Sequence, residues 1–344
     1  MVDVLIVSLG STAGLRLADD ELRGALARAG ASVALARAQA PPQRRTLMRT
    51  DLAWARAARA AATTELGGAR GPVRAVIYSS TTATLLWPRP GAIRFDATSA
   101  GNRPGRHGLW QRPVELRRLA QAPLLLPWSE AAVAEAPASA RSGDRVRVLP
   151  VPVEPSAGPA QGARRGQRDI AAITYAANPA KKGLDRVLAA WRQLRAGRHA
   201  RADEQLLVAG ASAQELQGAG LSAEAESGVR VLGRLGRDEY RGLLRRARVF
   251  VCAPRREDYG LAQLEALADG CQLVSTPSPG PYVALPIARR LDARLVSDEL
   301  AGALRAALRD PQPGYAERAL EALAPFSRAA ADRVVQELLG RLLG

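Results

Sequence analysis

Glu257 and Glu265, with seven residues between them in APRREDYGLAQLEALADG (residues 253–270), are two carboxylates in unequal surroundings. The stretch from Leu261 to Ala268 is apolar on nearly every side and reads as a buried helix. A carboxylate on such a helix is costly unless hydrogen-bond donors reach it. Ribose hydroxyls are suitable donors, and the competing explanation, an idle solvent-facing glutamate, fits poorly with the apolar neighbours of Glu265. Gly260 opens the helix. The loop through Tyr259, Gly260 and Leu261 offers free backbone N–H groups at the positive end of the helix dipole, which suits phosphate. Glu257 follows the strand-like run VFVCA, and its case rests mainly on its spacing from Glu265.

The second group is TYAANPAKKGLDRVLAAW (residues 174–191). Of 49 basic residues only Lys181 and Lys182 are lysines, and they are adjacent. They stand between a strand end and a helix start, with Gly183 letting the backbone turn. A solvated lysine at a helix start is disfavoured by the dipole. An ammonium there that reaches back to a diphosphate acts as a compact point charge.

The elements that must carry these groups alternate along the chain. VDVLIVSL, SVALA, VRAVIYS, GAIRF, APLLLP and RVRVLPV read as strands in the first half, with helices near residues 49–66, 110–121 and 129–136 and one capped by Asp19 or Asp20. In the second half IAAITY, QLLVAG, GVRVLG, VFVCA and CQLVST alternate with helices, one capped by Asp238. Repeated strand–helix units imply parallel sheets covered on both faces, whose ligands bind at the carboxyl ends of the strands. The reading is α/β, with two doubly wound Rossmann-like domains facing across a cleft. Residues 1–153 form the first domain, 154–169 a Pro/Gly-rich linker and 170–326 the second, while the last helix, 327–344, is expected to pack back on the first.

Two places in the first half could touch ligands. Gly10-Ser11-Thr12-Ala13-Gly14 follows the first strand, so Gly10 and Gly14 could approach phosphate or acceptor; it is not G-x-G-x-x-G, which weighs against a dinucleotide cofactor. RFDATSAGNRPGRHGLWQR (residues 94–112) carries Asp96, Arg103 and His107, the last of these balanced against a plain solvated loop.

The segment from about 170 to 296, with Lys182-Gly183, LLVAG, GVRVLGRLGRDEY and Glu257-x7-Glu265, resembles the donor-binding half of retaining glycosyltransferases of the GT-B fold, family four. The resemblance implies that Glu265 holds the ribose, Glu257 contacts the transferred sugar and Lys182 neutralises the diphosphate. It assigns backbone contacts to Tyr259, Gly260 and Leu261, base contacts to Gly233 and Arg234, and the carboxylate facing the transferred sugar to Asp96. It further implies retention by front-face attack. Two departures stand out. The family arginine five positions before the lysine is Ala177, which leaves diphosphate charge to Lys181 or another arginine, and Gly-Phe-Gly after the first glutamate is Asp258-Tyr259-Gly260.

Composition limits the rest. Hydrophobic residues make up 47% of the 344, so the chain is globular. The net charge of +16 is spread along the chain without aromatic interleaving, so no nucleic-acid partner is expected. There is no D-x-D and no Cys/His cluster, so neither metal nor cofactor is expected, and the nucleoside-diphosphate sugar enters as donor substrate. Cys252 and Cys271 read as buried thiols. The opening run lacks a secretory n-region, which points to the cytoplasm. The acceptor is left open among small molecule, glycan and lipid. Arg49, Trp54, Arg56 and Arg59 within 49–66 suit a peripheral contact with the anionic inner membrane face, against the plainer reading of a helix packed on its sheet. A nucleotide-sugar epimerase and a non-catalytic basic surface-binding protein are the competing functions.

Overall fold

The computed structural model describes every residue except 43, 69–70, 104, 142–143, 158–167, 198–200, 202 and 223–225. Most of the expected linker therefore lies outside the described residues. The chain forms two compact units, Met1–Pro152 together with Phe326–Gly344, and Val153–Pro325.

In the first unit β1 (Val2–Ser8), β2 (Val33–Arg37), β3 (Val73–Tyr78), β4 (Ala92–Phe95) and β5 (Leu125–Pro127) form one parallel sheet in the order β2-β1-β3-β4-β5. The final helix, Arg328–Leu343, joins the core of this unit through Ala331, Val335 and Leu338, alongside Ile6, Leu22 and Leu26. Trp54 packs against the core on the other face, so the helix Leu47–Leu66 spends its one large aromatic on its own sheet.

Two expectations for this unit are corrected. Neither Asp19 nor Asp20 caps a helix. The helix runs Ala13–Arg28 and is capped by Thr12, whose hydroxyl accepts from the Leu15 N–H. Asp19 lies buried in mid-helix, where it accepts a hydrogen bond from Ser8 Oγ and burial pushes its carboxyl above the usual range. RVRVLPV is not a full strand. Arg147 N and Leu149 N donate to Leu125 O and Pro127 O at 3.0 and 2.8 Å, but only the Leu125–Val146 bridge forms. Pro150 and Pro152 follow, and neither has an N–H to extend a ladder.

In the second unit β6 (Ile170–Tyr175), β7 (Leu206–Ala209), β8 (Val229–Gly233), β9 (Ala247–Cys252) and β10 (Gln272–Ser275) form a parallel sheet in the order β10-β9-β6-β7-β8. Chain order reverses between β6 and β9, so the helices that follow these two neighbours cover opposite faces of the sheet, the switch point at which ligands of such sheets bind. The helix Arg237–Arg246 takes Gly236 at its N-cap with no side-chain cap. Asp238, expected as the cap, lies in the first turn, where its charge still suits the dipole. Both cysteines are buried and free; Cys252 Sγ lies 3.5 Å from Ser275 Oγ and from Tyr282 Oη.

Glu204 ties the edges of this unit together. It accepts from Arg248 on β9, from Arg309 at the end of the helix Leu300–Arg309, and from the Arg201 N–H at 2.9 Å. Burial pushes its carboxyl up, but the bonds from Arg309, the Arg201 N–H and Arg248 outweigh that and hold it at about 2, below the usual 4.5. A depressed carboxylate stabilises the fold above its unfolded value, and that stability drains as pH falls towards its folded value. Glu204→Gln should cost about 2 kcal/mol at neutral pH, after allowance for solvent screening. Urea melts between pH 4.5 and 2 should then be flatter than wild type; a parallel pH profile would contradict the assignment.

Candidate active site

The loops leaving β6 and β9 bring together Lys181, Lys182 and Glu257 of the sequence candidates. After β6, Asn178 caps a single turn, Pro179–Lys182, by accepting from the Lys181 N–H at 3.0 Å. Gly183 then adopts φ 62°, and the helix Leu184–Ala196 begins. A Cβ on Gly183 would lie 1.9 Å from the Ala253 carbonyl oxygen, so the loop after β9 is packed directly against this glycine. Arg255 fastens the two loops: its N–H donates to Lys181 O at 3.0 Å, Nε to Ala180 O at 3.2 Å, and its guanidinium pairs with Asp185 at 2.7 Å.

This seam brings both lysines onto the acidic loop. Lys182 Nζ donates to Glu257 Oε2 at 2.6 Å, and Lys181 Nζ to Asp258 Oδ2 at 2.8 Å. Glu257 is buried and also accepts from Gln263 Nε2 at 3.0 Å, while its N–H donates to Pro279 O at 3.0 Å. Asp258 is held from its other side by Arg256 Nε at 3.0 Å. Lys181, expected at the diphosphate, is paired with the buried Asp258, as Lys182 is with the buried Glu257.

Tyr259 is buried, and Gly260 takes φ 90° at the N-cap of the helix Leu261–Ala268, which has no side-chain cap. A Cβ on Gly260 would lie 2.7 Å from the Tyr282 ring, so only glycine fits here. The N–H groups of the first turn are the anion-binding end of this helix. Glu265 is buried one turn from its end. Its carboxylate is not left to a ligand alone: Arg237 and Arg241 donate to Oε1 at 3.2 and 3.4 Å. Burial pushes its carboxyl up, with the charges of Arg241 and Arg237 opposing.

Gly233 and Arg234 lie at the end of β8. Gly233 has φ 72° and its carbonyl accepts from Gly210 N–H at 2.7 Å, while Arg234 is exposed and paired with Glu215. The remaining candidates belong to the first unit. Gly10, with φ 56°, follows β1 and accepts from Arg16 at 2.8 Å; Gly14 lies in the first turn of the next helix. Asp96 follows β4, its carboxylate accepting from the Ala97 N–H at 2.9 Å. Arg103 forks onto Asp51 at 2.7 and 2.9 Å and neutralises that buried carboxylate. His107 is exposed on the turn Gly105–Gly108.

Sequence reasoning missed Gln263, Arg237 and Arg241. Gln263 is the only polar residue besides Glu265 between Leu261 and Ala268, a signal that was available. The two arginines stand one turn apart in RDEYR, but among so many arginines that spacing carries no weight. Among the described residues no group of three or more His, Cys, Asp or Glu is arranged to hold a metal ion, and no helix is long and apolar enough to cross a membrane.

Two doubly wound parallel sheets, in strand orders 2-1-3-4-5 and 3-2-1-4-5 counted within each unit, match the GT-B fold of solved glycosyltransferases. Residues 168–310, most of the second unit, match the family model described as glycosyl transferases group 1. Among solved structures the chain is similar to WaaG, a glycosyltransferase involved in lipopolysaccharide biosynthesis, at 16% identity and TM-score 0.69, covering 97% of this chain and 99% of that one. It is similar in fold to the trehalose-6-phosphate synthase OtsA, at 13% identity and TM-score 0.69, covering 98% and 99%. An E. coli structure described as bound with UDP-2-fluoro glucose matches at 14% identity and TM-score 0.68, covering 98% of each chain. No curated protein matches by sequence.

Proposed function

We propose that this glycosyltransferase is a retaining, metal-independent enzyme that moves a hexose-type sugar from a nucleoside-diphosphate sugar to an acceptor hydroxyl. The observation that carries this reading is the Lys182–Glu257 contact at the chain-order reversal, beside the uncapped start of Leu261–Ala268. In this reading the diphosphate lies on the helix N-terminus, Lys182 turns from Glu257 to it, and Glu257 is released to the sugar hydroxyls. Glu265 accepts from the ribose. The anomeric carbon–oxygen bond breaks, the acceptor oxygen forms the new bond on the same face, and its proton passes to the departing phosphate oxygen. Lys182 and the helix end stabilise the charge that develops there, a role open to fixed cations and dipoles without a metal. Sugar chemistry of this kind is supported by the fold relative described as bound with UDP-2-fluoro glucose.

A thermal-shift panel of UDP-, GDP-, ADP- and dTDP-sugars tests this directly. A ligand at a hundred times its Kd adds about 2.7 kcal/mol to the native state, which corresponds to a rise of roughly 5 °C. One base should stand out. No shift with any of the four families would overturn the reading.

A further inference from the structure

Two arginines of the helix Arg237–Arg246 reach the same oxygen of Glu265, but their situations differ. The Arg237 side chain is 49% exposed, that of Arg241 only 4%. Arg241 spends each of its three nitrogens on a different part of the chain. Nε donates to Asp269 Oδ2 at 2.5 Å, NH1 to Glu265 Oε1 at 3.4 Å and NH2 to the Glu154 carbonyl at 2.8 Å. Asp269 stands four residues after Glu265, just beyond the end of Leu261–Ala268, and its second oxygen accepts from the Ser156 N–H and Oγ, both at 2.8 Å.

A guanidinium is a planar fork, so three fixed acceptors determine its position and leave it no freedom. It is also buried next to two carboxylates, so its charge acts at close range. The Asp269 and Glu154 bonds are shorter than the contact to Glu265. The arginine is therefore anchored elsewhere and presents one N–H to Glu265, rather than being held by it. Among the described residues no donor reaches Glu265 Oε2, so that oxygen still has its full accepting capacity for a ligand.

We infer that Arg241 is a positioning residue: it fixes the orientation of the Glu265 carboxylate, so that Glu265 can accept from both ribose hydroxyls, without itself touching the donor. The inference rests on Glu265 being the ribose acceptor, as proposed above. Loss of Arg241 removes the buried charge that most favours the ionised form, so Glu265 takes up a proton at higher pH and accepts less well.

The test compares binding of a ribonucleoside diphosphate, UDP, GDP or ADP as chosen by the panel, with its 2′,3′-dideoxy counterpart. Calorimetry would be run from pH 5 to 8 on the full chain. Wild type should prefer the hydroxylated ligand by about 10- to 100-fold, the worth of hydrogen bonds to a charged group. Arg241→Met should reduce that preference to about twofold and move the acid limb of ribonucleotide binding to higher pH, with the dideoxy ligand bound as before. Arg241→Lys should recover part of the preference. A wild type without preference between the two ligands overturns the ribose role of Glu265, and the inference with it. A wild type with the preference and a folded Arg241→Met that keeps both it and the acid limb overturns the inference alone. Should Arg241→Met not fold, Arg241→Lys decides: an undiminished preference with an unmoved acid limb overturns the inference.

Discussion

Replacing Lys182 by alanine should lower transfer from a nucleoside-diphosphate sugar by about 10²- to 10³-fold, as removal of one preorganised charge at a developing anion does. The loss should fall on kcat more than on KM, because the diphosphate gains charge as the sugar leaves and the ammonium is worth most at that moment. The fold should survive. Lys182 is 23% exposed at the end of a single turn, and Gln263 still donates to Glu257 in its absence. The stability change should be about 1 kcal/mol, as for a partly exposed pair. Steady-state kinetics with the base identified by the panel, together with a thermal melt, decide the matter. Near wild-type transfer would remove Lys182 from the mechanism.

Gly183→Ala should have the largest effect on stability. Two costs add. A non-glycine residue at φ 62° pays about 1–2 kcal/mol for the left-handed region. The new methyl would also stand 1.9 Å from the Ala253 carbonyl oxygen, an overlap relieved only by parting the loops after β6 and β9. Together these should cost about 3 kcal/mol or more. Parting the loops moves Lys182 and Glu257 away from the positions from which both must reach the donor, so transfer should fail even in the fraction that folds. Gly233→Ala is the control for the first cost alone: its φ is 72°, but nothing lies within 4 Å of the added carbon. It should cost about 1 kcal/mol. Urea midpoints for the two variants that coincide would contradict the steric argument.

The sheets were legible because buried parallel strands are continuous apolar runs, and β1, β6 and β9 are written that way. The lysine, glycine and glutamate spacing marked the loops that flank the β6–β9 reversal, although strand order itself cannot be read from a linear pattern. What escaped was pairing. Periodicity says that Glu265 falls on a helix, but not that Arg241 comes from elsewhere to meet it. The strand RVRVLPV failed for a local reason, since its prolines end a ladder that its alternating valines and leucine suggest. Asp258 was weighed only as a change in sugar choice, not as the counter-charge to Lys181 that it is in the structure.

The return of the chain to its first unit at Phe326 makes the two units topologically unequal. The second is one uninterrupted stretch and is, in effect, an insertion within the first. The first is assembled from both ends of the polypeptide, and Ala331, Val335 and Leu338 emerge from the ribosome only after the whole second unit has been made. The order of synthesis is therefore not the order in which cores can close: the second unit can close its core before the first has all of its parts.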